Sequence, residues 1–600
     1  MVCRVRSVAL LFWVFCTAGA LVIGGGCSPE HYKADADKEV YGIIDSKWQD
    51  SFGQKVNYVI SDVSPSPNDV QVAKAVPESG VISLAEAVAM ATAHNRDYQS
   101  AKETLYQTAL TLTGRRHDFA RQWFGTVDAS YTRRSSGESV ASGGGLGFNQ
   151  LLADGAQITA GIAIDWARFL TGDPRTSLGS VLSASVTQPL LRGRGHRIVQ
   201  EELTQAERQV LYQIRTFNRF RKTFVVRIVR GYYDVLQLSD RVTNAENDYQ
   251  RRVESKERLE MEAEAGRKPP FEVDQAEQEV LRAQDNIVAA QERYERQLDL
   301  FKIELSLPTD VDLELDPNEL EALRQVEITQ PDYTLEAATE TALARRLDLA
   351  NSADRVDDMA RKVVVAADSL GAGLDLIGGA EVGSTPTTDY SRLQFHQGTY
   401  NLGLSADLPL DRKRERNDYR QSLIILAQQQ RTYEDDSDQV KLQVRDAYRQ
   451  LRQQAESYRI QENSLALAEK RVQSTTLLLE AGRATTRDLL ESQNALLQAQ
   501  DDLTAALVAH TVAKLSFFSD IGVLQVRPEG MWQQPEPQPE SDSPDVSVKV
   551  ATVSRNPATE RRYDFRDFLV RPARMWEEGT IQRPATSRDL LAKSEIISEQ

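Results

Sequence analysis

Few residues of this 600-residue chain stand where they could do chemistry. The six histidines, His31, His94, His117, His196, His396 and His510, are scattered without metal-ligand spacing. His510 falls in a helix seam, where packing is the role its spacing suggests. Gly143-Gly144-Gly145 lies in an extended insert and lacks the context of a phosphate loop. No nucleophile–base constellation is present, so the sequence reads as a non-enzyme without cofactor or metal. Two features remain. All three cysteines, Cys3, Cys16 and Cys27, crowd the N-terminus. Charged groups also gather at two related turns: Ala265-Gly266-Arg267-Lys268-Pro269-Pro270, followed by Glu272 and Asp274, and Ala481-Gly482-Arg483-Ala484-Thr485-Thr486, followed by Arg487, Asp488 and Glu491.

The elements around the cysteines explain the first feature. Arg4 and Arg6 precede an apolar run from Val8 to Ile23, the pattern of a signal peptide over residues 1–26. Gly24-Gly25-Gly26-Cys27 resembles a bacterial lipobox, in which the cysteine is lipidated and becomes the mature N-terminus; Gly24 stands where a larger aliphatic residue is usual. The alternative is a plain cleavage site with an incidental cysteine. Beyond Ile23 no run of about 20 apolar residues occurs, so no membrane-spanning helix is expected there. The net charge of −17 argues against a nucleic-acid partner, which needs a basic face. Aromatics at 7% suit long helices packed on one another better than a thick globular core.

The charged turns belong to an internal repeat. EAGRKPPFEVDQAEQEVLRAQDNIVAA from Glu264 aligns without a gap on EAGRATTRDLLESQNALLQAQDDLTAA from Glu480. Each half reads helix, strands, very long helix, glycine turn, helix. Helices are predicted near 84–120, 197–263 and 271–306, then near 335–368, 412–480 and 486–520. A helix of about 67 residues spans roughly 100 Å, and the two shorter helices of each half, stacked end to end, match that length. Ser492, Leu496, Ala499, Leu503, Ala506, His510, Ala513 and Phe517 recur in steps averaging 3.5, as do Val440, Val444, Ala447 and Leu451, which marks coiled-coil packing.

Between the helices the period changes to two. Ile158, Ala160, Ile162, Ile164 and Trp166 alternate with small or polar residues, as do Leu402, Leu404, Ala406 and Leu408, Leu374, Leu376, Ala380 and Val382, and Val127, Ala129 and Tyr131. Such segments fit membrane strands, apolar toward lipid and polar toward water. A barrel in lipid must close, and a few strands per chain cannot close one alone, so the barrel is expected to be shared between subunits.

Signal peptide, two repeats, strands in each, long antiparallel helices and glycine turns together resemble the TolC-like outer membrane efflux family over roughly residues 80–525. The strings SLAEAVAMATAHNRDY (83–98), VTQPLLRG (186–193) and the two EAGR turns carry the resemblance. It implies a mainly α fold with a β membrane segment: a homotrimeric α-barrel continued by a shared transmembrane β-barrel of twelve strands. It also implies passive export, with a periplasmic adaptor and an inner-membrane pump as partners, and a lipid-anchored outer-membrane location with the helical body in the periplasm. The first strand insert is about 35 residues longer than its counterpart and leaves room for an added strand pair or an external loop; the number of crossings must be even. The divisions expected are a leader over 27–80, a first repeat over 81–310 (strands within 124–190), a linker over 311–332, a second repeat over 333–525 (strands within 372–410), and an extension over 526–600. The leader reads as extended, and QQPEPQPESDSP (533–544) as a disordered linker.

By the same resemblance the turns at Ala265, Gly266, Ala481 and Gly482 dock the adaptor. Glu272, Asp274, Asp488 and Glu491 would line the periplasmic entrance as acidic rings, and Arg267, Arg483 and Arg487 would hold it closed through ion pairs. Carboxylates in a first helical turn also simply complement the helix dipole, and both readings stay open. A different class of function, a periplasmic coiled-coil scaffold or adaptor without a pore, is the alternative.

Overall fold

Ser28, in extended conformation, precedes Pro29 at the first helical position, and helix α1 (Pro29–Lys47) follows. Val40, Ile43 and Ile44 recur at helical spacing and are buried. The Tyr41 ring meets Tyr106 and Tyr58, and Tyr106 donates to Asp37 at 2.6 Å. This corrects the expectation of an extended leader: one apolar triplet is enough to dock a helix on the first repeat. The computed structural model describes residues 28–49, 52–55, 58–60, 80–135, 137–169, 176–326, 328, 333–385, 389–527 and 532–533. The signal peptide, Cys27, the 533–544 linker beyond Gln533 and the rest of the C-terminal extension lie outside them.

After β1 (Val81–Ile82), the first repeat opens with α2 (Leu84–His94) and α3 (Arg96–Asp118). The sequence suggested one helix here. Asn95 breaks it by taking an extended conformation; its Oδ1 accepts from the Tyr98 N–H at 3.1 Å and its Nδ2 donates to the Glu304 carbonyl at 2.7 Å. Four strands follow: β2 (Gln122–Arg134), β3 (Gly137–Leu151), β4 (Gln157–Phe169) and β5 (Thr176–Pro189). A short α4 (His196–Val199) leads into the long α5 (Glu201–Glu264), and α6 (Pro270–Glu304) returns beside it. The linker is structured: β6 (Glu314–Leu315) pairs in parallel with β1, and α7 (Asn318–Arg324) follows.

The second repeat restates the plan with α8 (Leu335–Arg345) and α9 (Leu347–Asp368), broken at Arg346, the residue that corresponds to Asn95. Then come β7 (Gly373–Thr385), the short β8 (Asp389–Leu393) and β9 (Thr399–Asp407). The long α10 (Lys413–Glu480) and α11 (Thr486–Asp520) close the repeat, and β10 (Gln525–Val526) pairs with β11 (Trp532–Gln533). At about 1.5 Å per residue, the 64 residues of α5 and the 68 of α10 each run about 100 Å. In the half nearer the turns the helices lie side by side in the order α6–α5–α11–α10; in the half nearer the strands α3 and α9 replace α6 and α11. The core is thick around the middle of the long helices and on their strand side, where Phe517 packs on Tyr333 and Tyr448, and Tyr98 on Phe217, Phe220 and Phe224. Toward the turns it thins to a cluster of Ala468, Leu496 and Ala499.

The long strands form one antiparallel sheet in the order β2–β3–β4–β5–β7–β9. Its register carries a row of apolar positions from strand to strand. Val127 and Tyr131 lie on the same face as Leu146 and Phe148, then Ile162 and Ile164, Leu182 and Val186, Leu376 and Val382, and Leu402 and Leu404. The opposite face carries Thr126, Asp128, Asn149, Thr159, Ser183, Ser185, Glu381, Asn401 and Ser405. Val127 is 82% exposed and Leu402 80%, so among the described residues much of the apolar face has no cover, although Val382 is buried. Among the described residues no helix is long and apolar enough to cross a membrane.

Candidate functional site

The two EAGR turns stand together at the end of the molecule remote from the sheet. Each helix before a turn ends the same way. Gly266 at φ +69° and Gly482 at φ +67° take the left-handed conformation. The N–H of Arg267 reaches back to the Glu262 carbonyl and that of Arg483 to the Leu478 carbonyl. The helices after the turns start differently. Pro269 and Pro270 open α6 without a side-chain cap. Thr485 caps α11 in a reciprocal box: the Asp488 carboxylate accepts from the Thr485 N–H at 2.8 Å and from its hydroxyl at 2.7 Å. Those hydrogen bonds, from the Thr485 hydroxyl first, hold the Asp488 carboxyl below its ordinary pKa.

The sequence-selected carboxylates therefore part company. Glu272 is half-buried, paired with Lys268 at 3.2 Å, and accepts from the Thr486 hydroxyl at 2.5 Å, joining one turn to the other. Glu491 accepts from Arg471 of α10 at 2.9 Å. Asp274 is exposed. Arg267, Arg483 and Arg487 are exposed and make no ion pair among the described residues within this chain. Further ion pairs that bind helix to helix sit farther from the turns, and sequence reasoning missed them. Arg252, 2% exposed, pairs with the buried Asp248 at 2.6 Å and with Glu279 at 2.9 Å, and donates to Asn494 at 2.6 Å, so one guanidinium ties α5, α6 and α11. Asp501 of α11 takes Arg241 at 3.1 Å and Asn244 at 3.1 Å, both on α5. Asp240 holds Arg324 at 3.0 Å and Thr504 at 2.7 Å. A clue lay in the sequence: Arg252 and Asp248 are four apart within a long seam, where a charged pair at a core position needs a partner.

His510 occupies the seam between α11 and the linker, where Tyr233, Glu319, Leu323 and Lys514 surround a cavity of about 230 Å³. Burial, and then the charge of Lys514, push its pKa down to about 4. No group of three or more metal-ligating side chains occurs among the described residues.

With this geometry in hand, the chain can be set beside known proteins. Residues 338–516 match the family described as outer membrane efflux protein. The match lies within the second repeat, and the chain as a whole resembles the TolC-like outer membrane efflux family. No curated protein sequence matches this chain. Solved structures share its fold. CmeC, an outer membrane channel of Campylobacter jejuni, superposes at a TM-score of 0.54 with 14% identity, covering 82% of this chain and 93% of CmeC. The open state of the MtrE outer membrane channel of Neisseria gonorrhoeae gives 0.55 at 13% identity, with 78% and 95% covered. CusC, whose structures concern folding and transmembrane channel formation, gives 0.54 at 14%, with 78% and 99% covered.

Proposed function

We infer that three copies of this chain form a passive export duct of the outer membrane, with the sheet as barrel wall in lipid and the helices as a periplasmic tunnel. The observation that carries this is the two-faced sheet joined directly to helices of about 100 Å. An apolar face of that extent has no place in water, and its open edges have none in lipid. The helical layer is also incomplete at its sides. Near the turns its flanks are α6 and α10, and both expose apolar residues seven apart: Leu281 and Val288 on one, Ile460 and Leu467 on the other. Leu281 and Val288 lie 11 and 18 residues from the turn end of α6; Leu467 and Ile460 lie 13 and 20 from the turn end of α10. The two pairs stand at nearly matching heights, as a seam between neighbouring copies needs.

The same reading makes Cys27 the site of a lipid anchor, and the turns at Ala265-Gly266 and Ala481-Gly482 the docking tips for a periplasmic adaptor that links the duct to an inner-membrane pump. Glu272, Asp274, Asp488 and Glu491 form the acidic entrance, where rings of carboxylates favour cations. A pore-free scaffold would leave the apolar sheet face without a solvent. The test is purification in detergent followed by mass measurement and planar-bilayer recording. Trimers with discrete conductance steps are expected. A monomer that stays in solution without detergent, or trimers without conductance, would overturn the reading.

A further inference from the structure

The resemblance implies twelve strands in the shared barrel, four from each chain, whereas this chain lays six long strands in one sheet. Resting on the trimeric reading above, we propose that three copies close an eighteen-stranded barrel in which β2 of one copy pairs with β9 of the next.

Direction permits it. β2 leaves the helices and β9 returns to them, and every pairing between them is antiparallel. A β2–β9 joint is then antiparallel too, and the ring closes without a parallel seam. Chemistry supports it. The added pair β2–β3 obeys the same two-sided alternation as the rest: Val127, Tyr131, Leu146 and Phe148 on the apolar face, Thr126, Asp128 and Ser130 on the other. A hairpin lying outside the barrel in water would have no use for that pattern. The ladder is complete as well, with thirteen residue pairs between β2 and β3 and thirteen between β3 and β4.

The β3–β4 turn is built into the junction with the helices. The Gly195 N–H donates to the Asp154 carbonyl at 3.1 Å, and Ala156 is buried. Gly155, at φ +98°, lies so close to Gly193, Pro189 and Val199 that a Cβ there would fall within about 3 Å of all three. Twelve strands would require β2 and β3 to peel from β4, opening thirteen pairs in lipid and freeing that turn. Since barrel diameter grows roughly linearly with strand number, eighteen strands make a wall about one and a half times as wide as twelve.

Paired cysteines test the joint. Positions Trp123, Val127 and Ala129 on β2 would each be combined with Leu402→Cys or Leu404→Cys on β9; a second set would combine Ile162→Cys or Ile164→Cys on β4 with the same β9 sites. Oxidation of detergent-solubilised trimers is expected to link subunits in at least one β2–β9 combination and in none of the β4–β9 set. Linkage through β4 instead means a twelve-stranded ring with the hairpin outside; it overturns the proposal and leaves the trimeric duct standing. Monomers that cannot be linked by either set overturn the duct itself. Imaging of unsubstituted trimers in lipid nanodiscs, where the strands can be counted, decides independently of any variant: eighteen upholds the proposal and twelve sinks it.

Discussion

Asp488 shows how one carboxylate can serve two ends. It completes the cap of α11 and, in the proposed duct, would belong to the acidic entrance. The two duties separate by substitution. Asp488→Asn keeps an acceptor for the cap and removes the charge, so thermal stability should hold while the cation preference of the reconstituted channel declines. Thr485→Ala breaks the cap and leaves the charge; it should cost about 1 kcal/mol of stability, read as a lower melting temperature, with selectivity preserved. Unchanged selectivity in Asp488→Ala combined with Glu491→Ala would strip the acidic ring of its proposed role. His510 makes a different prediction. In the folded chain its ring stays neutral down to about pH 4, whereas an exposed histidine takes its proton near 6.5. Between those values the unfolded chain binds more protons, so stability falls as pH drops through the window. The melting temperature of His510→Leu should decline less steeply between pH 6.5 and 4 than that of the parent, because leucine takes no proton in either state; among the described residues the ring's Nε2 has no hydrogen bond for the substitution to break.

Toward the turns, polar contacts such as those of Arg252 and Asp501 join the helices of the two repeats, whereas farther up a shared apolar cluster does so. Removing Arg252 leaves the buried Asp248 with the longer pair to Arg251 at 3.5 Å, at a cost below the ~3–5 kcal/mol of a fully unpaired buried charge. Arg252→Ala should therefore lower the melting temperature markedly. Because the core near the turns is a small cluster of two alanines and a leucine, it should also raise the open probability of the channel in bilayers. A duct that stays as closed as the parent would show that the latch lies elsewhere. The elements themselves were largely legible. A 3.5-residue seam such as Ser492 to Phe517 and a two-residue alternation such as Ile158 to Trp166 are strong periodic signals, and both match the described elements. What escaped the sequence had weak periodicity or no local cause. β3 is mostly glycine, serine and alanine, so its alternation shows only once β2 and β4 fix the register. The breaks at Asn95 and Arg346 depend on partners far along the chain, Glu304 and Gln443. The ties from Arg252 to Asn494 and from Arg241 to Asp501 cross between repeats, and the four-residue spacing of Asp248 and Arg252 hints at a buried pair without naming those partners.

In the proposed trimer, neighbouring copies would meet at the unfinished edges of the chain: β2 and β9 in the sheet, α6 and α10 among the helices. Charge placed on the helical seam should break the ring without unfolding its parts. Leu281→Glu combined with Leu467→Glu is expected to shift the detergent-purified protein toward monomers while circular dichroism keeps its helical signal; intact trimers would show that those flanks do not meet. The water face of the sheet has a further consequence. Gly143, Gly145, Gly147, Gly161, Gly179, Gly373, Gly379, Gly383 and Gly403 all fall on that side of the strands. These positions have no side chains of their own, yet neighbours lean across several of them: Asn401 over Gly379, Asp128 and Asp165 over Gly143, and Phe124 over Gly147. In the proposed duct, a solute would therefore meet amides, carboxylates and a ring laid low over the strands beside them.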